Sequence, residues 1–255
     1  MLLAIDAGNT NITFGVFQGE ELLASWRLTT DPLRTADEYG IQLRSLFDLD
    51  GISIRKVEAI IVACVVPHLE QTLEWMCDRY LQVMPAFVNH ATDTGLKLLY
   101  EQPAELGADR IVDAVAAVAK YGAPCIAIDF GTATTLNAIN SQREFLGGII
   151  APGLMTSASA LFSRAAKLPR VEIERPEKVI GASTIAAMQS GLYFGYAGLV
   201  DRLIEQVREE MGGAEKVIAT GGLARLMKPA SQHIDLVDET LTLDGLRLVY
   251  ERNKS

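Results

Sequence analysis

A short apolar segment that ends in Asp-x-Gly occurs twice in the chain. Leu3–Thr10 (LAIDAGNT) aligns without gaps with Ile126–Ala133 (IAIDFGTA), and each copy leads into another segment of strand character. One such segment alone is an ordinary turn signal, because Asp, Gly, Asn and Thr are all common in turns. Two copies, each at the start of a similar run of residues, instead predict that one structural unit is repeated within the chain.

Strand and helix patterns follow both copies. The first part of the chain predicts, in order, the strands Leu2–Ile5, Ile12–Val16 and Leu22–Leu28, a helix capped by Thr35, the buried strand Val57–Val66 and a helix from Pro67. A helix at Asp113–Tyr121 is predicted to join the halves. The second part predicts the strands Cys125–Ile128, Thr134–Ile139 and Phe145–Ile150, helices of about Leu154–Ala166 and Ser183–Met211, and the strand Lys216–Ala219. We therefore predict an α/β protein of two closely packed units, because no flexible linker separates them.

Composition and charge exclude several classes of protein. The 255 residues are 49% hydrophobic and carry a net charge of −9. This balance suits a globular protein with a sizeable core, and it disfavours nucleic acid and anionic membranes as partners, because both repel an acidic surface. Neither a signal-peptide pattern nor an apolar run of about 18 residues is visible, which predicts a soluble, cytoplasmic protein. Three cysteines without CxxC spacing are expected to be buried free thiols: Cys64, Cys77 and Cys125.

The repeated turn has the chemistry of a phosphate-binding loop. Successive backbone N–H groups in such a turn form a cradle for an anion, and the glycine lets the anion approach the chain closely. The aspartate cannot bind phosphate directly at neutral pH, so it is expected to act through a cation such as Mg²⁺. Two such hairpins facing each other would hold the β- and γ-phosphates of ATP. The Walker signature and the dinucleotide motif GxGxxG after a strand are absent from the sequence.

Five motifs in order resemble the type III pantothenate kinases, a family of the acetate and sugar kinase, Hsp70 and actin superfamily. They are Asp6–Thr10, Gly107–Arg110, Asp129–Thr134, Gly147–Gly153 and Thr220–Gly222. The resemblance implies an α/β fold of two tandem ribonuclease-H-like domains with a central ATP cleft, divided into residues 1–118 and 119–255. It also implies ATP-dependent phosphorylation of pantothenate to 4′-phosphopantothenate, the first step towards coenzyme A.

The resemblance further implies which residues bind ATP and its cations. The nucleotide contacts are expected at Asp6, Ala7, Gly8, Asn9, Thr10, Asn11, Ile12, Thr13, Thr132, Gly221 and Gly222. Asp6 corresponds to a residue near Mg²⁺, which it would bind directly or through water. Asp129 corresponds to a residue that helps to hold a monovalent cation, K⁺ or ammonium.

Pantothenate binding is expected, from the same resemblance, at Tyr100, Gly107, Ala108, Asp109, Arg110 and Thr184, with Asp109 as the catalytic base. A base, hydrogen-bond donors and a cation suit a substrate that offers a primary hydroxyl, amide groups and a carboxylate. Spacing alone favours a helix N-terminus with a favourable Asp109 and a solvent-exposed Arg110, and only the resemblance reverses that preference. Thr184 likewise reads as a residue near a helix cap.

A homodimer is also expected from the family. The interface would include the Ser183–Met211 helix, whose apolar residues exceed what one buried face needs: Ile185, Met188, Leu192, Tyr193, Phe194 and Tyr196. The alternative is that this helix is covered within one chain. Two other functions remain open, a kinase of the same fold for another small alcohol or carboxylate, and an actin-like nucleotide-driven assembly or regulatory module.

Overall fold

Two β-sheets organise the chain in the computed structural model, which describes residues 1–164, 168–214 and 216–254. The strands are β1 (Leu2–Ala7), β2 (Asn11–Gln18), β3 (Glu21–Thr29), β4 (Ala59–Cys64), β5 (Ala86–Phe87), β6 (Lys97–Leu98), β7 (Cys125–Phe130), β8 (Ala133–Ile139), β9 (Glu144–Pro152), β10 (Lys216–Thr220) and β11 (Leu236–Val237). The helices are α1 (Ala36–Leu49), α2 (Pro67–Leu81), α3 (Ala108–Tyr121), α4 (Leu154–Arg164), α5 (Thr184–Met211), α6 (Ala224–Met227) and α7 (Leu241–Asn253). Every helix and strand predicted from the sequence is therefore confirmed, although the predicted end of α4 at Ala166 lies outside the described residues.

The first compact unit comprises Met1–Leu96, Glu101–Ala116 and the segment from Leu241. Its sheet has the order β3-β2-β1-β4-β5, in which β1 pairs antiparallel with β2 and parallel with β4. The core of this unit consists of apolar side chains from β1, β2 and β4 and from the buried faces of α1 and α2. Thr35 begins α1 with a capping box, because its side chain accepts from the Glu38 N–H and the Glu38 side chain accepts from the Thr35 N–H.

The second compact unit comprises Lys97–Tyr100 and Ala117–Thr240. Its sheet has the order β11-β10-β7-β8-β9-β6, in which β7 pairs antiparallel with β8 and parallel with β10. The neighbours of β7 are thus arranged as the neighbours of β1 are in the other sheet. β1 and β7 also share one burial pattern, with four buried residues followed by a half-buried aspartate and a buried residue. The repeat in the sequence is therefore a repeat in the structure.

The compact units differ from a linear division near residue 118 at two segments, because Lys97–Tyr100 belongs to the second unit and the segment from Leu241 belongs to the first. Helix α7 packs with the first unit although it follows the whole second half of the chain. Gly245 permits this packing, because a Cβ at that position would overlap the carbonyl oxygen of Val112 on α3. The division into 1–118 and 119–255 as functional domains stays a prediction.

The cysteines are free thiols, as expected. Cys77 and Cys125 are buried, and burial raises the pKa of each thiol to about 12. Cys64 is only half-buried, which differs from the expectation, because it is the last residue of β4, where the strand leaves the sheet. Within the described part of the chain, no helix is long and apolar enough to span a bilayer.

Candidate active site

The first Asp-x-Gly loop (Asp6–Thr13) joins β1 to β2 in the first unit. The loop closes on itself, because the N–H of Gly8 donates to the carbonyl oxygen of Asn11 at 3.0 Å. Asp6 is half-buried at the end of β1, whereas the side chains of Asn9 and Thr10 are exposed. The arrangement presents a carboxylate and two polar side chains at the carboxyl end of a buried strand.

Two predicted ATP contacts in this loop have buried side chains. Ala7 and Ile12 face each other across the hairpin and are fully buried in the core. Only their backbone atoms are therefore suited to contact a ligand. Thr30, which the sequence analysis did not single out, bonds this loop twice, with its N–H 3.0 Å from the Thr10 carbonyl oxygen and its hydroxyl 2.6 Å from the Gly8 carbonyl oxygen.

The second Asp-x-Gly loop (Asp129–Thr134) joins β7 to β8 in the second unit. It closes in the same way, with the Gly131 N–H donating to the carbonyl oxygen of Ala133 at 3.0 Å. The residues between the last paired positions are Gly8–Asn11 in the first loop and Gly131–Ala133 here, so the second loop is one residue shorter. The gapless alignment therefore holds through the glycine and not through the whole hairpin.

Two glycines pack directly against the second loop. A Cβ on Gly153 would overlap the carbonyl oxygen of Thr132 and lie 2.7 Å from that of Gly131. A Cβ on Gly221, which has a φ of +87°, would overlap Asp129 Oδ1 and lie 2.7 Å from the Phe130 backbone nitrogen. Only glycine fits at both positions, so the motifs that contain them shape the surroundings of the second loop.

Tyr196 on α5 is hydrogen-bonded to the end of the same loop. The Tyr196 hydroxyl is hydrogen-bonded to Thr134 Oγ1 at 2.6 Å and to the carbonyl oxygen of Pro152 at 2.9 Å. Thr134 is fully buried, so this contact fixes the start of β8 from within the core. Tyr196 therefore serves the fold of its own unit and is not available to an interface.

Gly107–Arg110 begins α3 in the first unit. The backbone N–H of Arg110 donates to Asp109 Oδ1 at 2.7 Å, and Gly107 leaves room for that carboxylate, because a Cβ there would overlap the same oxygen. Burial raises the pKa of the Asp109 carboxyl, and the hydrogen bond and positive charge of Arg110 oppose the shift. Arg110 is 6% exposed, which contradicts the alternative of a solvent-exposed arginine at a helix start.

Val65 connects this segment to the first Asp-x-Gly loop. Its N–H donates to the carbonyl oxygen of Ala7 at 3.1 Å, and its Cγ1 lies 3.4 Å from a Cβ built on Gly107. The Asp109 segment therefore lies beside the strand end that carries Asp6, within one compact unit. Cys64 adds no charge here, because burial raises the pKa of its thiol to about 11.

The remaining predicted substrate residues belong to the second unit. The ring of Tyr100 lies 6.3 Å from that of Phe145, and its side chain is half-buried. Thr184 is the exposed first residue of α5, next to Ser183, which accepts from the Ala186 N–H at 3.2 Å as the helix cap. Thr184 thus lies at a helix start, which agrees with its alternative interpretation as a residue near a helix cap.

The described part of the chain offers single carboxylates, rather than a cluster of ligands, for a metal ion. Among the described residues, no group of three or more His, Cys, Asp or Glu side chains is placed to hold a metal ion. Asp6 and Asp129 each offer a single half-buried carboxylate beside a loop. One carboxylate fits Mg²⁺ when substrate phosphates and water complete its oxygen ligands, so the donor chemistry suits an ion that arrives with a nucleotide.

The repeated sheet with its paired Asp-x-Gly loops defines the fold of actin-like ATPases and sugar kinases, built from two ribonuclease-H-like domains. A ROK family glucokinase from Streptomyces griseus, solved with glucose and AMPPNP, superposes with a TM-score of 0.52 at 12% identity, over 98% of each chain. Likeness at this level of identity shows the fold alone.

The family follows from the sequence comparisons. The model of the type III pantothenate kinase family matches residues 2–206. A type III pantothenate kinase from Koribacter versatilis (strain Ellin345) is 49% identical over 100% of this chain and 97% of its own length. Another from Syntrophus aciditrophicus (strain SB) is 48% identical over 99% of this chain and 100% of its own. The chain belongs to the type III pantothenate kinase family.

Proposed function

We propose that this protein transfers the γ-phosphoryl group of ATP to pantothenate, giving ADP and 4′-phosphopantothenate for coenzyme A synthesis. Membership of the family supports the reaction. The structural observation that carries the proposal is the position of Asp109, a carboxylate with a raised pKa on a segment that packs beside the first Asp-x-Gly loop. A proton acceptor next to a phosphate-binding loop is what phosphoryl transfer to an alcohol requires.

The two Asp-x-Gly loops are the proposed phosphate-binding elements. Residues Asp6–Thr13 and Thr132 would contact the phosphates, and Gly221 and Gly222 would lie near the adenosine. Support comes from the turn geometry, because each loop ends a buried strand and its exposed part carries side-chain and backbone donors: Asn9, Thr10 and Thr132. Asp6 is the proposed Mg²⁺ ligand, directly or through water, and the ion would neutralise part of the charge on the phosphates.

Pantothenate would bind at Tyr100, Gly107–Arg110 and Thr184, with Asp109 orienting the attacking hydroxyl. The hydroxyl oxygen forms a bond to the γ-phosphorus while the bond from that phosphorus to the bridging oxygen of ADP breaks. Asp109 Oδ1 already accepts the Arg110 N–H, so we assign the proton of the hydroxyl to Oδ2. The positive charge of Arg110 stabilises the carboxylate form of Asp109 before transfer.

A panel of acceptors tests the substrate. Purified protein would be assayed for ADP release with ATP and pantothenate, and in parallel with acetate, glucose and N-acetylglucosamine. We expect pantothenate to give the highest kcat/KM. A sugar or acetate that exceeds pantothenate would replace this proposal with a kinase of the same fold for another acceptor.

Activity is expected to require K⁺ or ammonium. Asp129 adds a second carboxylate near a loop proposed to bind phosphates, and a monovalent cation there would offset that charge. We expect the rate in Na⁺ alone to be at least about tenfold lower, which corresponds to an activation free energy higher by about 1.4 kcal/mol. The measurement is the initial rate in matched KCl, NH4Cl and NaCl, with Asp129→Asn as the companion variant. Equal rates in the three salts would contradict it.

A homodimer is the proposed assembly, although α5 contributes differently from what its sequence predicts. Of the six apolar residues that were expected at the interface, four are buried within the chain: Met188, Leu192, Tyr193 and Tyr196. The exposed face carries Gly191, Gly195 and Gly198 instead, and among the described residues no atom outside the nearby helix backbone lies within 4 Å of a Cβ built on any of them. Glycine inside a helix costs about 1 kcal/mol relative to alanine. A partner helix packed closely on this face would explain the three.

Sedimentation velocity tests the dimer and its face. We expect the wild-type protein to sediment as a dimer and Gly195→Arg to sediment as a monomer, because a long charged side chain would separate the faces. Gln71→Arg, at an exposed position of α2, is the matched control and should remain dimeric. A fully active wild-type monomer at the assay concentration would refute the assembly.

A further inference from the structure

A threonine hydroxyl from beyond the third strand of each repeat bonds a carbonyl oxygen of the Asp-x-Gly loop. In the first unit Thr30 follows β3, and its hydroxyl donates to the Gly8 carbonyl oxygen at 2.6 Å. In the second unit Thr156 lies in the first turn of α4, after β9, and its hydroxyl donates to the Thr132 carbonyl oxygen at 2.7 Å. The two threonines occupy different local structures, yet they make the same kind of contact with equivalent loops.

Each of these bonds fixes the direction of a peptide group. In a trans peptide the carbonyl oxygen and the following N–H point in opposite directions. The Gly8 carbonyl held by Thr30 therefore turns the Asn9 N–H away from Thr30. Likewise, the Thr132 carbonyl held by Thr156 turns the Ala133 N–H away from Thr156.

Loop closure alone does not fix these directions. The Gly8 and Gly131 N–H groups are used in closing their own loops, so the phosphate donors must come from the residues that follow. Glycine adopts most backbone conformations at little cost, so the peptide after Gly8 can rotate unless it is held. The Thr30 hydroxyl holds this peptide through the Gly8 carbonyl oxygen, and the Thr30 N–H holds a second peptide of the loop through the Thr10 carbonyl oxygen at 3.0 Å.

A purely structural role explains Thr156 less well. Its side chain is exposed, so water would satisfy its hydroxyl in the absence of the loop carbonyl. We infer that Thr30 and Thr156 are positioning residues, which orient the backbone N–H groups of the two loops towards the phosphates of ATP. This inference rests on the proposed role of the loops in ATP binding.

Thr30→Val and Thr156→Val test it, since valine keeps the shape and removes the hydroxyl. Equilibrium binding of a non-hydrolysable ATP analogue with Mg²⁺ is measured by calorimetry, and KM for ATP and for pantothenate by steady-state kinetics. We expect the Kd for the analogue and the KM for ATP to rise by about tenfold, the loss of one oriented hydrogen bond. KM for pantothenate should stay unchanged in both variants, and the thermal midpoint should stay unchanged in Thr156→Val, because Thr156 is exposed. Thr30→Ser and Thr156→Ser should restore ATP affinity.

Matched controls are available next to each residue. Thr29→Val is the control for Thr30, because Thr29 is exposed on β3, and Ser159→Ala is the control for Thr156, because Ser159 is exposed one turn further along α4. Valine variants within about twofold of wild type in ATP affinity would overturn the inference, as would a loss that serine does not restore. If Thr30→Val does not fold, unchanged ATP affinity in Thr156→Val overturns it.

The binding measurement contains no pantothenate. A wild-type protein that binds the analogue without phosphorylating pantothenate would therefore reject the proposed function and leave the positioning test valid.

Discussion

Asp109→Asn is expected to lower kcat by about 10²–10⁴-fold, the usual contribution of a general base. Asparagine keeps the shape of the side chain and its hydrogen bond from the Arg110 N–H, but it cannot take the proton of the attacking hydroxyl. Asp6 and Asp129 are poor substitutes, because both are proposed to hold cations. ATP affinity should be largely retained, since the loops are untouched.

Steady-state kinetics checks this prediction, with Asp48→Asn as the control because Asp48 is an exposed carboxylate on α1 of the same unit. The pH profile adds a second readout. Burial raises the pKa of Asp109, so the rate should rise with pH through a value above that of an ordinary aspartate, and Asp109→Asn should lack this limb. Turnover by Asp109→Asn within about twofold of wild type would instead favour proton transfer to a γ-phosphate oxygen.

Stability should not fall with the activity. A carboxyl whose pKa is raised on folding binds its proton more tightly in the folded state, so it adds stability at low pH that is lost as pH rises through the folded pKa. At neutral pH the charged form of the Asp109 carboxyl is thus a cost to folding. Asp109→Asn should unfold at the same temperature as wild type or higher, which separates a catalytic loss from a folding defect.

Gly221→Ala is expected to lower kcat/KM for ATP by about a hundredfold, the effect of displacing a positioned group by about 1 Å. The added Cβ would overlap Asp129 Oδ1 and lie 2.7 Å from the Phe130 nitrogen, so the carboxylate and the second loop must both move. The φ of +87° at this position adds a conformational cost for any L side chain.

Gly212→Ala separates the effect of the positive φ from the effect of the overlap with the second loop. Gly212 ends α5 with a φ of +73°, and among the described residues nothing lies within 4 Å of a Cβ built there. Both variants should lose thermal stability through the backbone conformation, but only Gly221→Ala should lose ATP-dependent activity and cation activation. Comparable kinetics in the two variants would mean that Gly221 matters for folding alone.

The repeat was readable from the sequence because it lies in buried strands. In β1 and β7 the continuous run of apolar side chains and the aspartate near its end are local properties, and they predict the strand and the turn that follows it. The cap of α1 was readable for the same reason, since a capping box spans only Thr35–Glu38.

Contacts between distant residues were not readable. Thr30, Thr156 and Tyr196 reach their loops through the fold, and a lone Thr or Tyr carries no local signal for such a bond. The two-residue strands β5, β6 and β11 are too short to show a period.

Helix α7 was missed although Leu243, Leu246 and Val249 keep a helical spacing, because Gly245 in its middle argues against a helix in the sequence. Its place in the first unit depends on Gly245 meeting Val112, a contact between residues far apart in the chain.

The fold alone leaves the acceptor open, since unrelated kinases share it. The most direct measurement is therefore product analysis by phosphorus NMR and mass spectrometry after incubation with ATP, Mg²⁺, K⁺ and pantothenate. We predict that ADP forms only when pantothenate is present, in equal amount to a phosphomonoester on its primary hydroxyl. ADP formed at the same rate without pantothenate, or no phosphorylated pantothenate at all, would contradict the account and favour a nucleotide-driven assembly or regulatory module.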